Sequence, residues 1–304
     1  MHFFNLYEYV KQGTFGGLLD GKNFFDAIVA EDHLAKNFSG QFKRTQVFSL
    51  GELGMDFSYG GTLAHFMKTH GRILLVIEKL SFLYFLPALR KTDQVTVLNL
   101  GTGVSGLLHK LQPDYSDISI METLGFSLCE PFDKNSFEQF LTQKKTHIRL
   151  PYQEFADNFF EKKIDYLGSG RLIDFSGLGI KGSKTFVVAL GSVGSACLEA
   201  VSGLQDKGYD VGFFLSHQFL FTVDSSAQEK ISRAEKLIFV FDGTEEYGYH
   251  NHLELKARLA GFTGTIHFLQ PKLDGVTTRL SEYLYENAQF DAGIIFERLQ
   301  SIIG

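Results

Sequence analysis

Short apolar runs, most of them rich in β-branched residues, recur along this chain and alternate with stretches of helical periodicity. That alternation constrains the fold more than any other feature, because strands that take turns with helices build parallel βαβ units. Residues 95–100 (Val-Thr-Val-Leu-Asn-Leu) are the plainest strand, and 72–77 read as a buried one. Further strands are expected at 26–31, which ends in acidic residues, and at 45–50, 118–122 and 146–150. Helices are expected at 55–69, 82–90 and 135–143. From 151 to 183 the pattern gives way to a polar, Gly-rich stretch that reads as a connection. A second unit follows, with a strand at 185–190, a tight turn Gly191-Ser-Val-Gly194 and a helix running to 207. Strands at 210–214, 236–241 and 264–269 and helices at 228–233, 250–259, 276–287 and from Gly293 complete it. The expected fold class is α/β, a doublet of successive α/β domains.

A chain of 304 residues is long enough for about two domains, each with its own core. Its 44% hydrophobic and 21% charged residues are those of a soluble protein. A net charge of −6 with no basic stripe argues against a nucleic-acid partner. The two cysteines, Cys129 and Cys197, suit a reducing compartment and offer no metal-ligand spacing. Glu8 and Lys11 interrupt the apolar N-terminal residues, so no cleavable leader is evident. Glu78, Lys79 and Pro87 break the apolar run 72–90, which favours a strand followed by a helix over a membrane span. A cytoplasmic protein without a membrane segment is expected.

Two stretches carry chemistry. Gly51-Glu52-Leu53-Gly54-Met55-Asp56 places a carboxylate on a glycine-framed turn, and Phe82-Leu83-Tyr84-Phe85 places two aromatic rings one helical turn apart. A carboxylate that bonds a ring nitrogen, with rings to stack on its face, is what holding an aminopyrimidine requires. Each element also has a plainer reading: Glu52 as a turn or cap residue, Phe82 and Phe85 as core. The histidines at 65, 70, 217, 250 and 252 are scattered, and His250-x-His252 on a helix would face two ways. No Gly-x-Ser-x-Gly elbow is present, which argues against a hydrolase.

Taken in order, these segments resemble the C-terminal half of transketolase, as in split two-subunit members of the thiamine-diphosphate enzymes. Ala30-Glu31-Asp32-His33-Leu34 is similar to the family's Ser-Ala-Asp-Leu, which places Asp32 near the cofactor. Gly51-Glu52-Leu53-Gly54-Met55 is similar to Arg-Glu-Phe-Gly-Met, which makes Glu52 the cofactor-activating glutamate. Leu80-Ser81-Phe82-Leu83-Tyr84-Phe85 is similar to Ser-Thr-Phe-Leu-Met-Phe, the aromatic wall around the pyrimidine. Residues 103–109 fall where the family has Gly-Glu-Asp-Gly-Pro-Thr-His, so His109 matches an active-site histidine and Ser105 stands in place of an aspartate. His147-Ile148-Arg149-Leu150 falls where the family has Tyr-Ile-Arg-Leu, whose arginine binds sugar phosphate. The resemblance implies two successive three-layer α/β domains with mainly parallel sheets. A pyrimidine-binding domain would span 1–165, a linker 166–183 and a transketolase C-terminal domain 184–304. Glu52 and His109 would be catalytic, Glu52, Phe82, Phe85 and Asp32 would bind cofactor, and Arg149, Ser105 and Lys36 would bind substrate.

What is missing is equally informative. The family holds thiamine diphosphate through Mg2+ on a Gly-Asp-Gly sequence followed by Asn, and hard oxygen ligands suit that cation. Here Asp-Gly occurs at 20–21, 242–243 and 274–275, never as Gly-Asp-Gly. The resemblance therefore implies a separate subunit that carries the diphosphate-binding domain and the metal, in an α2β2 heterotetramer acting on sugars. This chain itself would supply no metal ligand. The chain departs from the family in a helix after Phe85 that is shorter and in having no arginine before Arg44. Lys36, near a family serine, would partly replace that arginine.

Two other readings stand beside this one. The shortened helix and Ser105 suit a non-catalytic, degenerate transketolase-like subunit. Separately, the strand 95–100 leads into Gly101-x-Gly103-x-x-Gly106, with Glu122 ending the expected strand 118–122. That is the order of an S-adenosylmethionine site in a methyltransferase, where an acid binds ribose hydroxyls. Within the enzyme reading, a 2-oxo-acid dehydrogenase beta subunit or a deoxyxylulose-phosphate synthase half shares the architecture, and Gly54-Met55 with Arg149 favours transketolase.

Overall fold

Wholly apolar strands need cover on both faces, and that requirement organises the chain around two parallel sheets. The computed structural model describes residues 3–20, 25–42, 45–53, 59–78, 89–90, 92–102, 116–151, 154–156, 173–174, 184–216, 229, 231–242, 249–271 and 290–304. The first sheet has six strands, β2 (Ala27–Ala30), β3 (Gln46–Ser49), β4 (Ile73–Ile77), β5 (Val95–Thr102), β6 (Ser127–Cys129) and β7 (Thr146–Pro151), in the order β3-β2-β4-β5-β7-β6. Every neighbouring pair in it is parallel. All five residues of β4 (Ile-Leu-Leu-Val-Ile) are buried at 0% exposure. Burying each such side chain contributes about 1.5–3 kcal/mol relative to leaving it in water. From β2 the chain winds outward to β3, whereas β4, on the other side of β2, leads on to β5. The winding thus reverses between β2 and β4.

The second sheet runs β13-β12-β10-β11-β9. Strands β10 (Thr185–Leu190), β11 (Val211–Ser216), β12 (Lys236–Val240) and β13 (Thr265–Leu269) are parallel, and β9 (Ile173–Asp174) pairs antiparallel at the edge of β11. A two-stranded antiparallel ribbon joins β1 (Phe3–Asn5) to β8 (Glu154–Ala156). Helices α1 (Leu6–Lys11), α2 (Gly16–Asp20), α3 (Asp32–Phe38), α4 (Tyr59–His70), α5 (Ser116–Thr123) and α6 (Lys134–Phe140) accompany the first sheet. Helices α7 (Gly194–Asp206), α8 (Tyr249–Leu259) and α9 (Ala292–Ile303) accompany the second. Asp133 caps α6 through a 2.7 Å bond from the Ser136 amide, completed reciprocally by Ser136 Oγ. Phe15, Phe38 and Phe42 meet edge to face at centroid distances of 5.2–6.0 Å and seal α1–α3 onto the sheet.

The expected strands near 26–31, 45–50, 72–77, 95–100, 146–150, 185–190, 210–214, 236–241 and 264–269 are all observed. The expected helices at 82–90 and 276–287 lie almost wholly outside the described residues, and residues 229 and 231–233 of the expected 228–233 are helical. One expectation is overturned. Residues 118–122 are not a strand; they lie within α5, and the strand is β6, reached after a turn at Gly125 with φ +77°. The alternation Ile-Ser-Ile suggested a strand, but Ile118 and Met121, both buried, lie three residues apart and share one helix face. Glu122 therefore sits on a helix, beside His252 and Lys256 of α8 at 3.6 and 3.7 Å. The ribose-binding acid that a methyltransferase reading needs at a strand end is not there.

Charged side chains join the two sheets. Glu130, just after β6, and Arg149, in β7, are both 0% exposed, with Nη1 3.3 Å from Oε2. Glu130 Oε1 accepts bonds from the Ser192 amide at 3.1 Å and the Ser192 hydroxyl at 2.5 Å, in the turn that follows β10. Gly191 lets that turn approach: its φ is +64°, and a Cβ there would lie 2.7 Å from the Glu130 Cβ. Replacing it with alanine should destabilise the fold by roughly 1–3 kcal/mol, measured by urea denaturation.

Burial pushes the Glu130 carboxyl up to about 7; Arg149 and Ser192 pull it back, and Asp242 adds to the rise. The folded state then holds that proton more tightly than the unfolded chain. This contribution to stability is complete below the ordinary value of 4.5 and is lost as pH climbs towards about 7. Denaturation midpoints should therefore fall over this interval, and Glu130→Gln should remove that part of the slope. An unchanged slope in the variant would count against this account.

Candidate functional site

Parallel strands put all their C-terminal ends on one edge, so the residues that follow β2, β3 and β4 gather there. Glu31 and Asp32 follow β2, Gly51 and Glu52 follow β3, and Glu78 follows β4. Ligands of open α/β sheets bind at this edge, in the crevice where the winding reverses, which here lies between β2 and β4.

Two segments singled out in the sequence are tied together at this edge. Asp32 opens α3, and its Oδ1 accepts a 2.8 Å bond from the Gly51 amide. A Cβ at position 51 would lie 2.6 Å from Asp32 Oδ2, so glycine is what lets the carboxylate come this close. Glu52 is exposed at the tip of the turn. Its Oε2 accepts from the Ser49 amide and its own amide donates to Ser49 Oγ, both at 3.0 Å. This is the reciprocal geometry of a capping box, so Glu52 shapes the turn that presents it. Lys36 is exposed in the last turn of α3, one helical turn beyond Asp32.

A second group adjoins them. Glu78, 8% exposed, takes a bond from the Tyr7 hydroxyl on Oε1, with Lys11 Nζ 3.7 Å from the same oxygen. Its Oε2 lies 2.7 Å from His33 Nε2. Glu31 Oε1 accepts a 2.9 Å bond from the Glu78 amide, while its Oε2 lies 3.8 Å from His33 Nδ1. One ligand atom each of Glu31, His33 and Glu78 falls within 4.8 Å of the others. Sequence reasoning passed over this group, using Glu78 merely to interrupt an apolar run. The available signal was an acid directly after each of two buried strands; nothing local pointed to Tyr7 or Lys11, which α1 brings in from the chain's beginning.

The other expected residues divide in two. Phe82, Phe85, Ser105 and His109 lie outside the described residues. Arg149 lies level with Ile77, the last residue of β4, in the sheet register, and is fully buried in the pair with Glu130. Its neighbour His147 is also fully buried, and burial followed by the nearby Arg149 charge pushes its pKa down to about 3. Among the described residues no helix is long and apolar enough to cross a membrane.

No protein-family model matches the sequence, and no curated protein matches it. Solved structures do match. A split-gene transketolase described as an inactive β4 tetramer superposes with a TM-score of 0.69 at 14% identity, covering 96% of this chain and 98% of that one. The transketolase of Campylobacter jejuni subsp. jejuni NCTC 11168 matches with a TM-score of 0.69 at 15% identity, over 98% of this chain. A histidine-to-phenylalanine mutant of Pichia stipitis transketolase matches with a TM-score of 0.67 at 14% identity, over 100% of this chain. This chain spans 47% and 46% of those two proteins, just under half of each. Its two parallel α/β sheets thus have the fold of the pyrimidine-binding and C-terminal domains that make up the C-terminal half of transketolase.

Proposed function

We propose that this chain is one subunit of a split thiamine-diphosphate-dependent transketolase that moves a two-carbon ketol unit between sugars, phosphorylated or nucleotide-linked. Residues 1–165 would serve as the pyrimidine-binding domain and 184–304 as the C-terminal domain. The observation that carries the reading is the Asp32–Gly51 bond, which fixes the Glu52 turn at the C-terminal edge of a sheet with this fold. An exposed carboxylate there suits the ring nitrogen of a pyrimidine. The diphosphate end is another matter. Glu31, Asp32, Glu52 and Glu78 make this edge acidic, and the sequence has no Gly-Asp-Gly to hold Mg2+. A diphosphate would be repelled here, so a partner subunit should hold it together with the metal, as in an α2β2 assembly.

The cofactor, when bound, supplies the electron sink that lets a bond next to a sugar carbonyl break. In this reading Glu52 bonds the pyrimidine, Asp32 holds the Glu52 turn in place, and Phe82 and Phe85 clamp the ring. His109 would handle substrate protons, and Ser105 would contact the substrate. Arg149, with Lys36 on α3, would bind a substrate's anionic end, although Arg149 is buried in its pair with Glu130. A second reading, a non-catalytic subunit, draws support from that burial and from the engagement of Glu52 with Ser49.

Four measurements test these readings. Recovery of the chain with a near-stoichiometric partner bearing Gly-Asp-Gly…Asn, and turnover of ketose donors by the pair, is expected of the enzyme. In that pair Glu52→Ala should lower turnover on the order of 10²–10⁴-fold; unchanged turnover would remove Glu52 from its role. The isolated chain should bind thiamine diphosphate weakly, and tight Mg2+-dependent binding by it alone would contradict the split site.

A further inference from the structure

The group formed by Glu31, His33 and Glu78 has a geometry that the transketolase reading does not use. We propose that these three residues form a binding site for a divalent transition-metal ion of the zinc type, at the reversal point of the first sheet. The inference does not depend on the proposed function.

Three segments supply the ligands: the end of β2 gives Glu31, the first turn of α3 gives His33, and the end of β4 gives Glu78. Their ligand atoms lie within 4.8 Å of one another, so a single ion reaches one atom of each. Both carboxylates are anchored by one oxygen and turned towards His33 by the other. Glu78 Oε1 is held by Tyr7 and faced by Lys11, whereas Oε2 faces His33 Nε2 at 2.7 Å. Glu31 Oε1 is held by the Glu78 amide, whereas Oε2 lies 3.8 Å from the other ring nitrogen, His33 Nδ1, so an ion would bind one imidazole nitrogen and draw one carboxylate over to it. Supporting bonds of this kind orient ligands before an ion arrives and are a regular part of metal sites.

Charge favours a cation as well. Two carboxylates converge with the Lys11 ammonium 3.7 Å from Glu78, and a divalent ion would offset both. An imidazole nitrogen and carboxylate oxygens are both donors that zinc takes, and three protein ligands leave a coordination position open. Mg2+ and Ca2+ favour oxygen-only shells and would gain little from His33. The site opens outward: the His33 side chain is 48% exposed, whereas those of Glu31 and Glu78 are 16% and 10% exposed. A bound ion would therefore have a buried carboxylate floor and a face towards solvent, where a hydroxyl-bearing or anionic ligand can complete its shell.

The full chain, stripped of metal and checked for folding by circular dichroism, is titrated with Zn2+ by calorimetry and with Co2+ by visible absorption. One ion per chain is expected, with a dissociation constant on the order of micromolar or tighter. His33→Ala and Glu78→Gln should each weaken binding by about 100-fold or more, while His267→Ala on β13 should leave it unchanged. If Glu78→Gln does not fold, His33→Ala decides, since His33 lies at the surface and its removal leaves the core intact. Absence of saturable binding would show that the three form a hydrogen-bonded network and nothing more, and would overturn the proposal. Binding that survives His33→Ala, or displacement of Co2+ by equimolar Mg2+, would overturn it equally.

Discussion

Strands that all run one way leave their C-terminal ends on one edge, and the chemistry of this protein follows from that constraint. β2, β3 and β4 each hand over to an acidic residue within three positions, so four carboxylates meet at a single rim. Gathering them costs electrostatic energy, and the same edge offsets it. The Glu78, Gly51 and Ser49 amides bond Glu31, Asp32 and Glu52 respectively. Each is a backbone donor just past a strand end or at its last residue, and hydrogen bonds from amides to ionised carboxylates are among the stronger ones. Tyr7, Lys11 and His33 serve Glu78. The sheet thus provides both the crowding and its remedy, and the turns carrying Asp32 and Glu52 are ordered because they bond each other.

Much of this was legible in the sequence where the signal is local. Continuous apolar runs such as Ile73–Ile77 marked buried parallel strands, and the turn at Gly51-Glu52 marked the rim. What escaped depends on distance along the chain. Tyr7 and Glu78 are 71 residues apart and meet because α1 packs onto the first sheet, against β7, which no window of sequence reveals. The short helix α5 escaped for another reason: over five residues an apolar alternation fits both periods, and the burial of Ile118 with Met121 decides for the helix. β9, two residues long inside a Gly-rich stretch, carries too little pattern to be read at all.

Arg149 lies in the strand its motif predicts and is buried there beside Glu130. The Ile-Arg-Leu segment sits in the middle of β7, in the strand expected for it. The side chain points to the joint, where Glu130 and Ser192 take up its surroundings. Removing one member of a buried pair leaves an uncompensated charge, so Arg149 and Glu130 constrain each other. Gly191 is part of the same constraint, since its turn must pass close to Glu130 for Ser192 to reach it. The two sheets are held at a place where substitution of any one partner disturbs the rest.

The acidity of the rim also bears on how labour would be divided between subunits. An edge with Glu31, Asp32, Glu52 and Glu78 is suited to a heterocycle, a cation or a hydroxyl-rich sugar, and is unsuited to a diphosphate. Lys36 and Lys11 are the basic side chains that α3 and α1 bring near it, and Lys11 is already within 3.7 Å of Glu78. An anionic cofactor approaching this chain alone would meet repulsion from these four carboxylates. The same cofactor held at its phosphates by a cationic site on another subunit would meet this rim with its aromatic end, where Glu52 is presented. On the proposed function, that charge pattern is why the cofactor's phosphates would sit on the other subunit.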